Sequence, residues 1–225
     1  MNPRGILLDI EGTTTPIAFV SEVLFPFARR HISRYLEIAN LTALKREHEE
    51  DARLRHGPPS WSAGPAEYIH WLMDQDRKST ALKEIQAEVW REGYESGELR
   101  GEVFDDVPPA LERWHQAKID VRIFSSGSAM AQRLLFSHTR AGDLTKFLNG
   151  FFDTTTGPKG EPASYTRIAR AFGLPASNVL FISDVTRELD AAGLAEMKTY
   201  LCVRPRNHPQ PLNSHPILRS FDEIR

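Results

Sequence analysis

The sequence is poor in cysteine, in excess charge of either sign and in long apolar runs. A single cysteine, Cys202, among 225 residues excludes an intramolecular disulfide and is typical of a reducing compartment. The 28 Lys and Arg residues nearly balance the 30 Asp and Glu residues, so no basic field predicts binding to nucleic acid or to an anionic membrane surface. No apolar run approaches the roughly 20 residues of a membrane span, and the first ten residues are not apolar enough for a signal peptide. We therefore expect a cytoplasmic protein with no nucleic-acid or membrane partner.

What the sequence does contain is a series of short apolar runs, most of which end in polar residues. These runs are GILLDI (5–10), IDVRIFSS (119–126), SNVLFISD (177–184) and KTYLCV (198–203). Helical patterns separate them at 108–117, 128–139, 161–173 and 186–196. Strands that alternate with helices of this length predict an α/β fold with a Rossmann-like parallel sheet. Cys202 falls inside the fourth run, which favours a buried strand residue over a nucleophile.

The segment from residue 17 to residue 104 has a different pattern. It contains no convincing strand, and its helical patterns cover 21–38, 41–56, 65–77 and 80–95. We predict that residues 17–104 form an all-helical cap domain, inserted into a core made of residues 1–16 and 105–225. The Pro-rich stretch 204–216 is predicted to be irregular, with His208 and His215 as solvated loop residues. No heptad seam is visible, which favours a monomer.

Polar side chains stand where three of the predicted strands end. Asp9 and Glu11 close the first run, Ser125 and Ser126 close the second, and Asp184 closes the third. Ligands bind outside the carboxyl ends of the strands in an open parallel sheet, so these side chains are predicted to converge on one crevice. For any one position a simpler interpretation holds equally well, since an acid or a serine after a strand is often a helix N-cap. For all of them together that interpretation is improbable.

The residue types at this crevice favour phosphoryl transfer. Asp9, Glu11 and Asp184 offer a few hard oxygen ligands, which suits Mg²⁺ and, without His or Cys ligands, disfavours zinc. Lys159, in the loop TTTGPKGEP, adds a positive charge within reach of a phosphate. The SSGS sequence at 125–128 opens a helix and offers hydroxyl and amide donors to an anion. Carboxylates, a metal ion, a lysine and an amide cradle are the parts that phosphoryl transfer requires.

At this point the residues resemble a known family. DIEGT (9–13), FSSGS (124–128), Lys159 and SDVTRELDAA (183–192) follow in order the four motifs of the haloacid dehalogenase superfamily of phosphohydrolases. The first motif of that superfamily is usually Asp-x-Asp-Gly-Thr, whereas Glu11 stands here at its second acid. This departure resembles the enolase-phosphatases of methionine salvage, as do the run LLDIEGTTTPIAFV (7–20), the cap sequence at 71–114 and the stretch FISDVTRELDAA (181–192). The resemblance implies a bifunctional Mg²⁺-dependent enzyme that enolises 2,3-diketo-5-methylthiopentyl-1-phosphate and removes its phosphate to give the acireductone 1,2-dihydroxy-3-keto-5-methylthiopentene.

The resemblance also implies a role for each matching residue. Asp9 would be the nucleophile that forms an aspartyl-phosphate, and Glu11 the general acid/base for the leaving oxygen and the attacking water. One Mg²⁺ per subunit would be held by Asp9, Glu11 and Asp184. The base that starts the enolisation is left open between Glu11 and a cap residue.

The remaining motif residues would handle charge and substrate. Lys159 would neutralise the nucleophile and the transferring group, and Ser125 and Ser126 would bind the substrate phosphate. Glu188 is a candidate partner behind this site, whereas Asp190 is interpreted as structural.

Three other functions are alternatives to this one. A phosphatase or phosphomutase of the same superfamily for another small phosphate ester would share the core motifs and differ in the cap. A metal-free dehalogenase would leave Glu11 and Asp184 without a purpose. A non-catalytic phosphate-binding module would not need the nucleophile Asp9.

Overall fold

The computed structural model describes residues 3–36, 41–54, 56–75, 77, 79–211 and 214–224. The strands are β1 Gly5–Leu8, β2 Asp120–Phe124, β3 Gly150–Phe152, β4 Val179–Ser183, β5 Lys198–Cys202 and β6 Ile217–Leu218. The helices are α1 Phe25–Leu36, α2 Thr42–Arg53, α3 Pro65–Asp74, α4 Thr80–Ser96, α5 Val107–Gln116, α6 Ala129–Ser137, α7 Pro162–Phe172 and α8 Thr186–Leu194. A π-helical turn, Phe19–Leu24, precedes α1. The predicted helix residues 37–38, 55 and 76 lie outside the described residues.

In the described residues the strands form one sheet in the order β3-β2-β1-β4-β5-β6, with every neighbouring pair parallel. The predicted α/β fold is therefore confirmed. All four residues of the central strand β1 are buried, which is why GILL is apolar without alternation. β3 and β6 were not predicted, because runs of three and two residues are too short to show a strand pattern.

The chain divides into two compact units. The first contains Met1–Val20 and Arg100–Arg225, and it holds the whole sheet with α5 to α8. The second contains Ser21–Leu99 with helices α1 to α4, and its described residues form no strand. The predicted boundaries at residues 17 and 104, and the role of the second unit as a cap, stay predictions.

Close packing in the helical unit predicts an unusual response to alanine at Gly93. A Cβ atom on Gly93 in α4 would lie 2.6 Å from the ring of Phe27 and 2.8 Å from Leu99. We expect Gly93→Ala to destabilise the unit by about 1–3 kcal/mol through overpacking, although alanine is the better helix former. Gly193 in α8 is the control: its Cβ would meet nothing within 4 Å, and Gly193→Ala should stabilise by about 0.5–1 kcal/mol. Urea unfolding of both variants tests this, and a stabilising Gly93→Ala would contradict it.

The C-terminal part of the chain is better anchored than its sequence predicts. Residues 204–211 and 214–216 are irregular and His208 is exposed, as predicted. The prediction for His215 is wrong, because its side chain is only 11% exposed. Its ring nitrogens lie 2.8 Å from Thr199 Oγ1 and 2.9 Å from Asp190 Oδ1, so it ties this segment to β5 and α8.

Two further expectations concern Cys202 and the membrane. Cys202 is buried in β5, as predicted, and burial raises the pKa of its thiol to about 12, which suits a strand residue and not a nucleophile. In the part of the chain that the structure describes, every helix is too short or too polar to cross a membrane.

Candidate active site

The strand order brings the predicted site residues to one edge of the sheet. β1 lies between β2 and β4, with Leu8 in register with Ile123 and Ile182. Asp9 and Asp184 therefore leave adjacent strands at the same edge, and the amide of Asp9 donates to the carbonyl of Ile182 at 3.0 Å. The chain also reverses its direction across the sheet between β1 and β4, which is where open α/β sheets bind ligands.

A tight turn follows β1 at this edge of the sheet. The amides of residues 13–15 all donate to the carbonyl of Ile10, at 2.9–3.1 Å. Gly12 has φ 73°, a conformation that glycine adopts without strain. Thr14 Oγ1 donates to the carbonyls of Asp9 and Ile10, so this threonine holds the turn itself. We call residues 9–15 the β1 turn.

A largely buried lysine joins two carboxylates beside the β1 turn. Lys159 Nζ donates to Asp9 Oδ1 at 2.5 Å and lies 2.7 Å from Glu188 Oε2. Ser183 Oγ donates to the same Glu188 oxygen at 3.0 Å, and Tyr165 OH donates to the carbonyl of Lys159 at 2.7 Å. Lys159 is thus fixed from both ends, which prepares its ammonium group for a charged ligand.

Burial and charge repulsion shape the pKa values of this cluster. Burial, with the negative charges of Asp9 and Glu188, raises the pKa of Asp184 to about 7, because these effects outweigh the positive charge of Lys159. Burial and the charge of Asp9 likewise raise the pKa of Glu188. Desolvation disfavours the charged form of Lys159, but attraction to Asp9 and Glu188 outweighs it and raises the pKa of the ammonium group.

The cluster has the composition of a divalent cation site. Asp9, Asp184 and Glu188 are three carboxylates against one ammonium group, so the ionised cluster carries an excess of negative charge that a cation would balance. Among the described residues no three His, Cys, Asp or Glu side chains form a complete chelate. Proteins commonly hold Mg²⁺ with only one or two carboxylates, because this ion keeps several of its waters, so a complete chelate is not required here.

The segment after β2 leaves the sheet at the same edge as the β1 turn, because β1 and β2 are parallel neighbours. Ser125 is half-buried, and its Oγ accepts from the amide of Gly127 at 3.4 Å, whereas Ser126 is exposed. Ser128 is the N-cap of α6, since its Oγ accepts from the amide of Ala131 at 3.3 Å. The simpler interpretation, a helix cap, therefore holds for Ser128.

Glu11 lies in the β1 turn, two residues after Asp9. It is exposed, and its backbone forms a bridge with Thr15. Its proposed roles in proton transfer and metal binding stay predictions. Asp190 is exposed on α8 and pairs with His215, which agrees with a structural role.

Sequence reasoning missed four residues that support the site. Ser183 and Tyr165 hold Glu188 and Lys159, and Arg204 and Asn207 contact the β1 turn from the C-terminal segment. Ser183 stood inside a recognised motif and was open to inference. Arg204 and Asn207 lie about 190 residues from their partners in a stretch without periodicity, so no local pattern marks them.

Comparison with known proteins shows that the sequence matches a known family. The family model described as haloacid dehalogenase-like hydrolase matches residues 3–196. The chain is 46% identical to "Enolase-phosphatase E1" of Synechococcus elongatus, over 97% of this chain and 96% of that protein. It is also 46% identical to a Populus trichocarpa protein described as probable bifunctional methylthioribulose-1-phosphate dehydratase/enolase-phosphatase E1, over 99% of this chain but 47% of that longer protein.

Solved structures resemble the chain over nearly its full length. The UTR4 protein of Saccharomyces cerevisiae superposes with a TM-score of 0.81 at 34% identity, covering 98% of this chain and 99% of that one. A crystal structure described as a dehalogenase superposes with a TM-score of 0.56 at 19% identity, over 99% and 95% of the two chains, which shows the shared fold alone.

Proposed function

Because the chain belongs to the haloacid dehalogenase-like hydrolases, and to the enolase-phosphatases among them, we propose that it acts on 2,3-diketo-5-methylthiopentyl-1-phosphate. The products are inorganic phosphate and the acireductone 1,2-dihydroxy-3-keto-5-methylthiopentene, an intermediate of methionine salvage. The observation that carries the chemistry is the ion pair of Asp9 with the buried Lys159, beside Asp184 at the strand ends. The near-full-length identity to enolase-phosphatases supports the choice of substrate.

In this proposal Asp9 attacks the phosphorus atom. A carboxylate oxygen forms a bond to phosphorus as the bond to the enol oxygen breaks, which divides the transfer into formation and hydrolysis of an aspartyl-phosphate. Lys159 lies on the nucleophile and offsets the charge of the incoming phosphate, and Glu188 holds its ammonium group in place. Ser125 and Ser126 donate hydrogen bonds to the phosphate oxygens.

Glu11 handles the protons in this proposal. From its exposed place in the β1 turn, its carboxyl group protonates the departing oxygen and then takes a proton from the water that attacks the aspartyl-phosphate. The side chain of glutamate is one methylene longer than that of aspartate, so its carboxyl group reaches further from this exposed place.

A single Mg²⁺ per subunit completes the proposed site. Asp9 and Asp184 would hold it, joined by Glu11 through its side chain or backbone. When bound, the ion would supply positive charge to the phosphate and to the oxyanion that develops in enolisation. The proposal further includes a cytoplasmic monomer whose partner is this small phosphorylated diketone.

The affinity for Mg²⁺ is expected to fall in mild acid. The pKa of Asp184 is about 7, above its ordinary value near 4, so the folded protein binds this proton more tightly than the unfolded chain. The contribution of protonated Asp184 to the free energy of unfolding is therefore fully present below about pH 4, and it is lost as the pH rises through about 7.

Mg²⁺ must displace that proton, so it should raise the Tm more at about pH 8 than at about pH 6. Asp184→Asn should abolish the difference, whereas Asp190→Asn, on the exposed face of α8, should keep it. A Mg²⁺-induced Tm shift that is equal at both pH values in the parent protein would contradict the assignment of Asp184.

Turnover of a substrate panel tests the proposed function. Phosphate release and enol absorbance are followed together for the diketo phosphate and for several unrelated small phosphate esters, with Mg²⁺ and with excess chelator. We expect the diketo phosphate to be the preferred substrate and chelation to stop phosphate release. Brisk hydrolysis of another ester without turnover of the diketo phosphate would keep the phosphatase and overturn the substrate.

A further inference from the structure

The C-terminal segment holds the β1 turn by its backbone. Asn207 Nδ2 donates to the carbonyl of Gly12 at 2.9 Å, and Arg204 Nε donates to the carbonyl of Thr13 at 3.2 Å. Arg204 Nη1 also donates to Asp106 Oδ2 at 2.8 Å. Two consecutive carbonyls of the β1 turn are therefore satisfied by side chains from a segment outside the four family motifs.

The hydrogen bonds of Asn207 fix which way its amide faces. Its Nδ2 has two partners, the carbonyl of Gly12 and, at 3.4 Å, the carbonyl of Cys202. Both partners only accept, so the NH₂ group must face them, and the opposite orientation would set an oxygen against two oxygens. The position of Asn207 Oδ1 follows from this constraint.

That oxygen is buried beside the proposed metal ligand. Asn207 Oδ1 has no hydrogen-bond partner among the described residues. A Cβ atom built on Gly12 would lie 3.1 Å from Asn207 Oδ1 and 2.3 Å from Asp184 Oδ2. The amide oxygen and the carboxylate therefore border the same small space at Gly12.

We propose that Asn207 is a positioning residue of the metal site, whose Oδ1 accepts a hydrogen bond from water bound to the cation at Asp184. This inference rests on the proposed Mg²⁺ site. A hydrated Mg²⁺ provides the donors that Oδ1 lacks, and groups that orient the ligands of a metal in this way affect its affinity. The same side chain holds the β1 turn through Gly12, so the C-terminal segment couples the nucleophile loop to the ion.

Isothermal titration of the whole protein with MgCl₂ tests the proposal without turnover. Asn207→Leu removes both the donor and the acceptor at similar volume, and we expect it to weaken Mg²⁺ binding about ten- to hundredfold. Asn207→Asp loses the same donor to Gly12 but keeps an oxygen, so it should bind Mg²⁺ at least about tenfold more tightly than Asn207→Leu. His215→Leu is the matched control, because it releases the C-terminal segment from Thr199 and Asp190 without touching the β1 turn.

The outcomes separate this inference from the function on which it rests. Parental Mg²⁺ affinity in Asn207→Leu, or equal losses in the Leu and Asp variants, would overturn the role of Oδ1. A loss in His215→Leu as large as that in Asn207→Leu would also overturn it, since general loosening of the segment would then suffice. A parent protein that binds no Mg²⁺ would instead overturn the metal site itself. If Asn207→Leu does not fold, Asn207→Ala gives the same comparison.

Discussion

Asp9→Asn is expected to lower the rate of phosphate release by at least about four orders of magnitude, because an amide cannot attack phosphorus and no other carboxylate occupies that place. The substitution keeps the size of the side chain. It also removes one negative charge from a cluster in which three carboxylates share one ammonium group, so we expect the fold to survive with a Tm at or above that of the parent. Steady-state phosphate release and thermal unfolding measure the two effects.

Asp190→Asn provides the control for this experiment. Asp190 lies on α8, two residues beyond Glu188, but it is exposed and pairs with His215 instead of Lys159. The same chemical change should therefore leave the rate of phosphate release within about twofold of the parent. Phosphate release by Asp9→Asn at a rate within about tenfold of the parent would exclude Asp9 as the nucleophile.

Lys159→Met has the second large expected effect, on both stability and rate. Loss of the ammonium group leaves Asp9 and Glu188 buried without their shared cation, which should lower the free energy of unfolding by about 3–5 kcal/mol near neutral pH. The transferring phosphate also loses its nearest positive charge, and we expect phosphate release to fall by about 10²–10³-fold or more. Urea unfolding and phosphate release measure these effects.

A second substitution separates the two effects of Lys159. The side chain of Glu188 contacts Lys159 and Ser183. In the double variant Lys159→Met/Glu188→Gln, one of the two carboxylate charges that lose their cation is therefore removed. We expect the double variant to regain part of the lost stability but none of the lost rate. Recovery of the rate together with the stability would show that Lys159 acts through folding alone.

Much of the fold was predictable because its signals are local. The buried parallel strands read as apolar runs, and helices such as α7, with Pro162 at its start and Gly173 after its end, carry their own boundaries. β3 and β6 were not predictable, since their few residues become strands only by pairing with β2 and β5.

The candidate site divides in the same way. Asp9, Lys159 and Asp184 stand in recognisable motifs, and the strand order then brings them together as expected. The residues that hold them carry no such signal: the hydroxyl of Tyr165 fixes the backbone carbonyl of Lys159 from the following helix, and Asn207 holds the carbonyl of Gly12 from a distant part of the chain. His215 was predicted to be solvated because its stretch is rich in proline, yet its contacts are set by α8 and β5, which no property of that stretch reveals.

The role of Asp9 as nucleophile is tested by a search for phosphate on this residue during turnover. The parent protein is mixed with the diketo phosphate and Mg²⁺, quenched in acid within a single turnover, digested and examined by mass spectrometry. We expect a phosphate group on the carboxylate of Asp9, in the peptide that contains LLDIEGT, which decays as inorganic phosphate appears. Inorganic phosphate that appears in full within that turnover while Asp9 stays unmodified at every quench time would contradict it.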